Sequence, residues 1–180
     1  SVGITGTAGT AYTLTFAKSG LTSATQSITP TVGTASQLAL TTDAAGSASG
    51  AGFTTQPVVA IRDSGGNTLT SDSSSVVTMT VSTGATVVGT ATATASNGVA
   101  TFSSVGITGT AGTAYTLTFA KTGLTSATQN ITPTAGTASQ LALTTNAAGS
   151  ASGAAFTTQP VVAIRDSGGN TLTSDSSSVV

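Results

Sequence analysis

The sequence predicts an all-β protein, and three observations carry that prediction. Apolar and hydroxyl residues alternate with a period of two over most of the chain, turn signals recur at roughly 8–12-residue spacing, and no segment keeps a 3.6-residue period. Composition points the same way. Only 5% of the 180 residues are charged, against about 25% in ordinary soluble domains. The chain holds 25 Ser, 41 Thr and 22 Gly, and Leu, Ile, Val and Phe make up 20% of it. That apolar share sits near the limit for disorder, but disorder also requires a large net charge, and here the net charge is −1. A folded chain with small β-type cores is therefore expected.

Each strand has its own justification. Ser36–Thr42 alternates, with Leu38 and Leu40 on one face. Gln56–Asp63 turns Val59 and Ile61 inward and carries Pro57 near its start, where a missing N–H is tolerated. Ser64-Gly65-Gly66-Asn67 is a turn, and Thr68–Thr70 a short returning strand. Ser75–Val81 places Val77, Met79 and Val81 on one face. Thr86–Ala95 sets Thr90, Thr92 and Thr94 against Ala91, Ala93 and Ala95, and Asn97-Gly98 then signals a tight hairpin. Val99–Ile107, Tyr115–Lys121 and Thr125–Thr132 complete the set. Seven main strands and one short one, within about 100 residues, describe an immunoglobulin-like β-sandwich.

That sandwich is expected in tandem. Ser1-Val2-Gly3-Ile4 recurs as Ser104-Val105-Gly106-Ile107, and residues 1–77 match residues 104–180 with a period of 103. Only five pairs differ: Ser19/Thr122, Ser27/Asn130, Val32/Ala135, Asp43/Asn146 and Gly52/Ala155. The period is that of one whole small domain, too long for a solenoid. Short linkers follow Pro30 and Pro133. They divide the chain into the C-terminal part of one repeat (1–33), a complete repeat (34–136) and the N-terminal part of the next (137–180). A longer natural array is expected from this division.

Composition also excludes function classes. The chain has no His, Cys, Glu or Trp, which removes most acid–base, thiol and metal chemistry; no catalytic residue, cofactor or metal site is predicted. Four basic residues cannot track a phosphate backbone, so no nucleic-acid partner is expected. No run of 18 apolar residues occurs, so no membrane span is expected.

The segments VVAIRDSGGNTLTS, NGVATFSSVGITGTAGTAYTLT and SGLTSATQSIT resemble bacterial Ig-like tandem repeats. Such repeats build the stalks of large secreted surface and adhesin-type proteins. The resemblance covers the whole chain and implies a sandwich fold and exposure at the cell surface. The junction calcium sites of many such repeats are not expected here, because Asp43, Asp63, Asp72, Asp166 and Asp175 are the only carboxylate side chains.

Six residues stand out as structural candidates, and one as a modification site. Tyr115, two residues before Leu117 and after a Gly-containing corner, has the spacing of a tyrosine corner; Tyr12 is its copy. Its hydroxyl should bond backbone within Ile107–Gly112. Asp63 and its copy Asp166 precede the Gly-Gly-Asn turns and should accept hydrogen bonds from the turn amides. Lys121 and its copy Lys18 share inward parity with the preceding Phe, so an ion pair of Lys121 with Asp63 at one pole of the sandwich is considered, beside a simply solvated Lys. An isopeptide bond is the least favoured reading. Asn130-Ile131-Thr132 fits the N-glycosylation pattern, with Ser27 in the other copy.

The expected function is structural: a repeat of an extracellular filament or adhesin stalk that spaces and links units at the cell surface. The alternative is a glycan- or protein-binding Ig-like module. With few Lys, Pro or inward charges to guard its edge strands, the repeat is expected to self-associate into a fibre and to allow contact with neighbouring chains through those edges.

Overall fold

The structure is a computed structural model, and residues 1–174 are described; Asp175 and the rest of the expected third piece lie outside the described residues. The chain is all-β. Two strands, β1 (Tyr12–Phe16) and β2 (Ala24–Ile28), form an antiparallel hairpin at the beginning. The middle holds β3 (Gln37–Thr42), β4 (Ala51–Gly52), β5 (Val58–Arg62), β6 (Val76–Val81), β7 (Thr86–Val88), β8 (Thr92–Ser96), β9 (Val99–Thr101), β10 (Gly106–Thr108), β11 (Tyr115–Ala120) and β12 (Ala127–Ile131). A second pair, β13 (Gln140–Thr145) and β14 (Val161–Arg165), repeats β3 and β5, including the bulge after Leu40 and Leu143.

The middle strands form a sandwich. Its main sheet runs β12-β11-β6-β8-β9-β5-β3. β8 carries the sheet from one layer to the other: Thr92–Thr94 pair with β6, and Ala95 and Ser96 pair with β9. The two ends of the sheet then meet, because Gln37 bridges Thr125 in parallel. Leu38 N donates to Thr125 O at 2.8 Å, and Thr125 N donates to Ser36 O at 2.9 Å. Further along, the Gln129 side chain acts as a strand would. Its Oε1 accepts from Ala44 N at 2.8 Å and its Nε2 donates to Ala44 O at 2.7 Å. Thr134 closes the seam through Ser47 O and Ser49 N. The sheet ends that looked unguarded in the sequence thus spend their backbone groups on each other.

The core follows the alternation. β11 buries Tyr115, Leu117 and Phe119 and turns Thr116 and Thr118 outward; β6 buries Val77 and Met79. The rings of Phe102 and Phe119 meet edge to face, 5.5 Å apart at 67°. On β8, Ala93 and Ala95 face inward while Thr92 and Thr94 face solvent. The Asn97-Gly98 hairpin has positive φ at both residues, 49° and 76°, as a type I′ turn requires.

Three strand expectations need correction. The expected single strand Thr86–Ala95 is two, β7 and β8, broken at Gly89 (φ 77°). Val99–Ile107 is likewise split into β9 and β10 at Ser104 (φ 57°). The two breaks face each other, and each lets its strand leave the main sheet for a small one of order β4-β10-β7. A straight strand would have to serve both sheets at once. Finally, Thr68–Thr70 is not a strand; Thr68 makes only an isolated bridge with Arg62.

The flanking pieces repeat the sequence of the core without repeating its burial. Phe119 is 0% exposed and its copy Phe16 56%; Leu38 is 5% exposed and its copy Leu141 62%. Local strand pairing is kept in both hairpins. Replacing Phe119 by Ala should therefore cost about 3–5 kcal/mol in denaturant unfolding, the cost of an aromatic-sized core cavity. Thr94→Ala, at an exposed position of the same sandwich, should stay within about 0.5 kcal/mol. Equal losses from the two substitutions would contradict this inward and outward assignment of the strands.

Candidate functional site: the junction between repeats

Four of the residues singled out by sequence, Tyr12, Tyr115, Asp63 and Asp166, lie at the boundaries between successive repeats. Each boundary begins with the tyrosine corner. The Tyr12 hydroxyl accepts from Thr7 N at 2.9 Å, and the Tyr115 hydroxyl accepts from Thr110 N at 3.0 Å. Each corner loop is tied to the proline before its linker, with Gly9 N donating to Pro30 O and Gly112 N to Pro133 O, both at 2.9 Å. A phenol that fixes a loop leaves the outer amides and carbonyls of that loop in set positions.

The next repeat occupies those positions. Asn67, last residue of the turn after β5, takes a hydrogen bond from Ala8 N at 2.8 Å on its Oδ1 and donates from Nδ2 to Gly6 O at 3.0 Å. Its side chain also donates to both carboxylate oxygens of Asp63, at 3.1 and 2.9 Å. Asp63 Oδ1 accepts from Gly65 N and Asn67 N within the turn, at 2.9 and 2.8 Å. Its Oδ2 accepts from Gly33 N, in the linker, at 2.8 Å. Gln37 Nε2 reaches the Asp63 carbonyl at 2.9 Å. Corner, linker and turn are thus held by one carboxylate and one carboxamide.

The arrangement recurs 103 residues later. Ala111 N donates to Asn170 Oδ1 at 2.8 Å, and Asn170 Nδ2 donates to Gly109 O at 2.9 Å. Gly136 N donates to Asp166 Oδ2 at 2.7 Å, and Gln140 Nε2 to the Asp166 carbonyl at 2.7 Å. Asp63 and Asp166 are both buried. The approach is close enough to demand glycine: a Cβ on Gly65 would lie 2.9 Å from Gly6 O, and one on Gly168 would lie 2.8 Å from Gly109 O.

A buried carboxylate with no cation keeps its charge only if donors surround it. For Asp63 the linker amide of Gly33 acts most strongly, followed by the Asn67 side chain, and the pKa falls from 3.8 to about 2. For Asp166 burial pushes upward, and the Gly136 amide, the Asn170 side chain and the turn amides together outweigh it, so its pKa too is lowered.

The remaining candidates lie elsewhere. Lys121 does not meet Asp63; its charge acts on Asp72, and it lines an open groove of ≈ 570 Å³ with Ser74, Ser75, Val76, Thr78 and Thr122. The five hydrogen bonds that the Asp63 side chain accepts come from four donor atoms of its own turn and of the linker, and Lys121 is not among them. Lys18 is exposed. Asn130 is exposed on β12 and accepts a hydrogen bond from Thr116 Oγ1 at 3.0 Å. Asp72 caps its own loop through Ser74 N, Ser75 N and Ser75 Oγ. Among the described residues no group of three or more His, Cys, Asp or Glu could hold a metal ion, and no helix is long and apolar enough to cross a membrane.

No family model matches the chain, and no curated protein is significantly similar to it. Solved structures align with parts of the chain at 14% identity. A glycosyl hydrolase family 2 member from Bacteroides cellulosilyticus aligns over 68% of this chain and 17% of its own, with a TM-score of 0.45. A Parabacteroides merdae β-glucuronidase aligns over 62% of this chain and 15% of its own, with a TM-score of 0.42. This chain therefore spans less than a fifth of either enzyme.

Breaking the junction should loosen the boundary without unfolding the sandwich. Asn67→Ala should speed amide exchange at Ala8 about five- to tenfold, as expected for one lost hydrogen bond, and leave the amides of β11 unchanged. The pH dependence has a definite sign. Because the folded pKa of Asp63 is depressed, its contribution is complete above the ordinary carboxylate value of 3.8 and is lost as pH falls through about 2. Exchange at Gly33, corrected for intrinsic rates, should stay flat from pH 8 to 4 and rise below that. A rise centred near neutral pH would contradict the assignment.

Proposed function

We propose that this chain is a structural repeat of an extracellular bacterial filament or adhesin stalk, spacing and mechanically linking units at the cell surface. One observation carries the reading: the same hydrogen-bonded junction forms at both repeat boundaries. Identical domains joined through identical contacts repeat one rotation and one translation, and that operation builds a fibre. The linker contributes to the lock, since Gly33 and Gly136 are themselves bound to the turn carboxylates.

The surface supports the same reading. Phe53, Phe102, Tyr115 and Phe119 of the complete repeat are all buried, so the aromatic anchors typical of protein-binding hot spots are not presented there. Solvent meets mainly Thr and Ser, as on the outer faces of β8 and β11. Contacts of this kind depend on backbone pairing and hydroxyls and are little affected by salt.

Pulling a tandem array of the 103-residue repeat with an atomic force microscope tests the mechanical role. Each repeat should break in a separate event and release about 300–330 Å, from ~3.3–3.6 Å per residue less a folded length of roughly 40 Å. Featureless extension at low force would contradict a mechanical function.

A further inference from the structure

We propose that Ser49 is a positioning residue that couples the closing of one sandwich to the seating of the next repeat. It lies in the loop between β3 and β4 and is buried. Its hydroxyl donates to Gly109 O at 2.9 Å and accepts from Gly109 N at 3.2 Å. The same Gly109 carbonyl accepts from Asn170 Nδ2 at 2.9 Å. Its two lone pairs are thus divided between its own repeat and the one that follows. The following turn comes up against Ser49 itself. A Cβ on Gly168 would overlap Ser49 Oγ, one on Gly136 would overlap Ser49 O, and one on Gly50 would overlap Ser167 Oγ. The seat therefore takes the turn Asp166-Ser167-Gly168-Gly169-Asn170, the copy of Asp63–Asn67, and leaves no room for a side chain at its first glycine.

This seat exists only in a closed sandwich. Ser49 and Gly109 are 60 residues apart in sequence, and the third wall, Thr134 to Gly136, follows β12. Ser49 N donates to Thr134 O at 3.0 Å, and Thr134 N donates to Ser47 O at 2.8 Å. These bonds belong to the seam by which the two ends of the main sheet meet. With the seam open, Ser49, Gly109 and the linker no longer form one surface, and the turn of the next repeat has nothing to rest on. The coupling has a direction, because every wall of the seat precedes the turn it receives. A repeat that has closed offers its seat to the repeat after it. The proposal deepens the stalk reading by naming what makes successive repeats act together, and its test records seating and not force, so either can fail without the other.

Amide exchange of the full chain, read residue by residue, tests this with two neighbouring reporters. Ala111 N donates to Asn170 across the boundary, whereas Thr110 N donates to the Tyr115 hydroxyl within the repeat. Ser49→Ala should speed exchange at Ala111 about five- to tenfold. Gly168→Ala should speed it at least as much, because the turn must back away from both Ser49 and Gly109. Thr110 should hardly change in either variant. The double variant should exchange no faster than the faster single one, since both substitutions release the same contact. Gln129→Ala loosens the seam away from the boundary and should also speed Ala111, but add nothing once Ser49 is replaced by Ala. Unchanged Ala111 in either single variant, an equal rise at Thr110, additive effects in the double variant, or a Gln129→Ala effect that persists without the Ser49 hydroxyl would each overturn the proposal. Should Ser49→Ala fail to fold, Gly168→Ala lies outside the complete repeat and decides alone.

Discussion

A carboxylate out of water and without a cation must gather amide donors, and Asp63 gathers them from both the turn that follows it and the linker before its repeat. The rest of the assembly depends on this. With 5% charged residues and no cysteine, the chain offers few charges for ion pairs and no disulfide with which to fix one repeat against the next. Backbone amides are plentiful, and a lone carboxylate converts them into a directional clasp. Asn67 extends the clasp across the boundary because a carboxamide both donates and accepts, matching one free amide and one free carbonyl of the tyrosine-corner loop.

Much of the sandwich was legible in the sequence. The alternation in Val76–Val81 and Tyr115–Ala120 places the buried side chains correctly, and Asn97-Gly98 turns as its composition demands. The strand breaks were not legible. Gly89 sits within an alternating run, and Ser104 adopts positive φ although nothing in its type requires it. β4 lies in a Ser/Ala/Gly stretch that has no period to read. At the junction, Asp63 and Tyr115 announce themselves through turn and corner spacing, but each was readable only as a local device. That the Asp63 turn faces the Tyr12 corner, and the Asp166 turn the Tyr115 corner, across a boundary depends on how far the linker carries the chain, and Asn67 looks like any other turn residue. Lys121 shows the limit of parity arguments: it follows β11 directly, yet lines the groove with Ser74, Ser75 and Val76, and its charge acts on Asp72.

The two kinds of contact have different characters. The junction is polar, small and half-buried, so it sets direction more than it adds stability. The sandwich core is apolar, with Phe102 and Phe119 meeting edge to face within it. In the proposed fibre, strength would come from the cores and relative orientation from the junctions. Low charge suits such an object, since neighbouring repeats have little electrostatic repulsion to overcome.

The central claim is that the boundary between repeats is held in one orientation, and pulsed electron spin resonance measures that directly. The chain has no native cysteine, so spin labels at Thr25→Cys on β2 and Thr94→Cys on β8, both exposed, report a single distance across the first junction. The account predicts one narrow distance distribution at neutral pH that broadens when Asn67 is replaced by Ala. A broad distribution in the unaltered chain, of the kind a free linker gives, would contradict it.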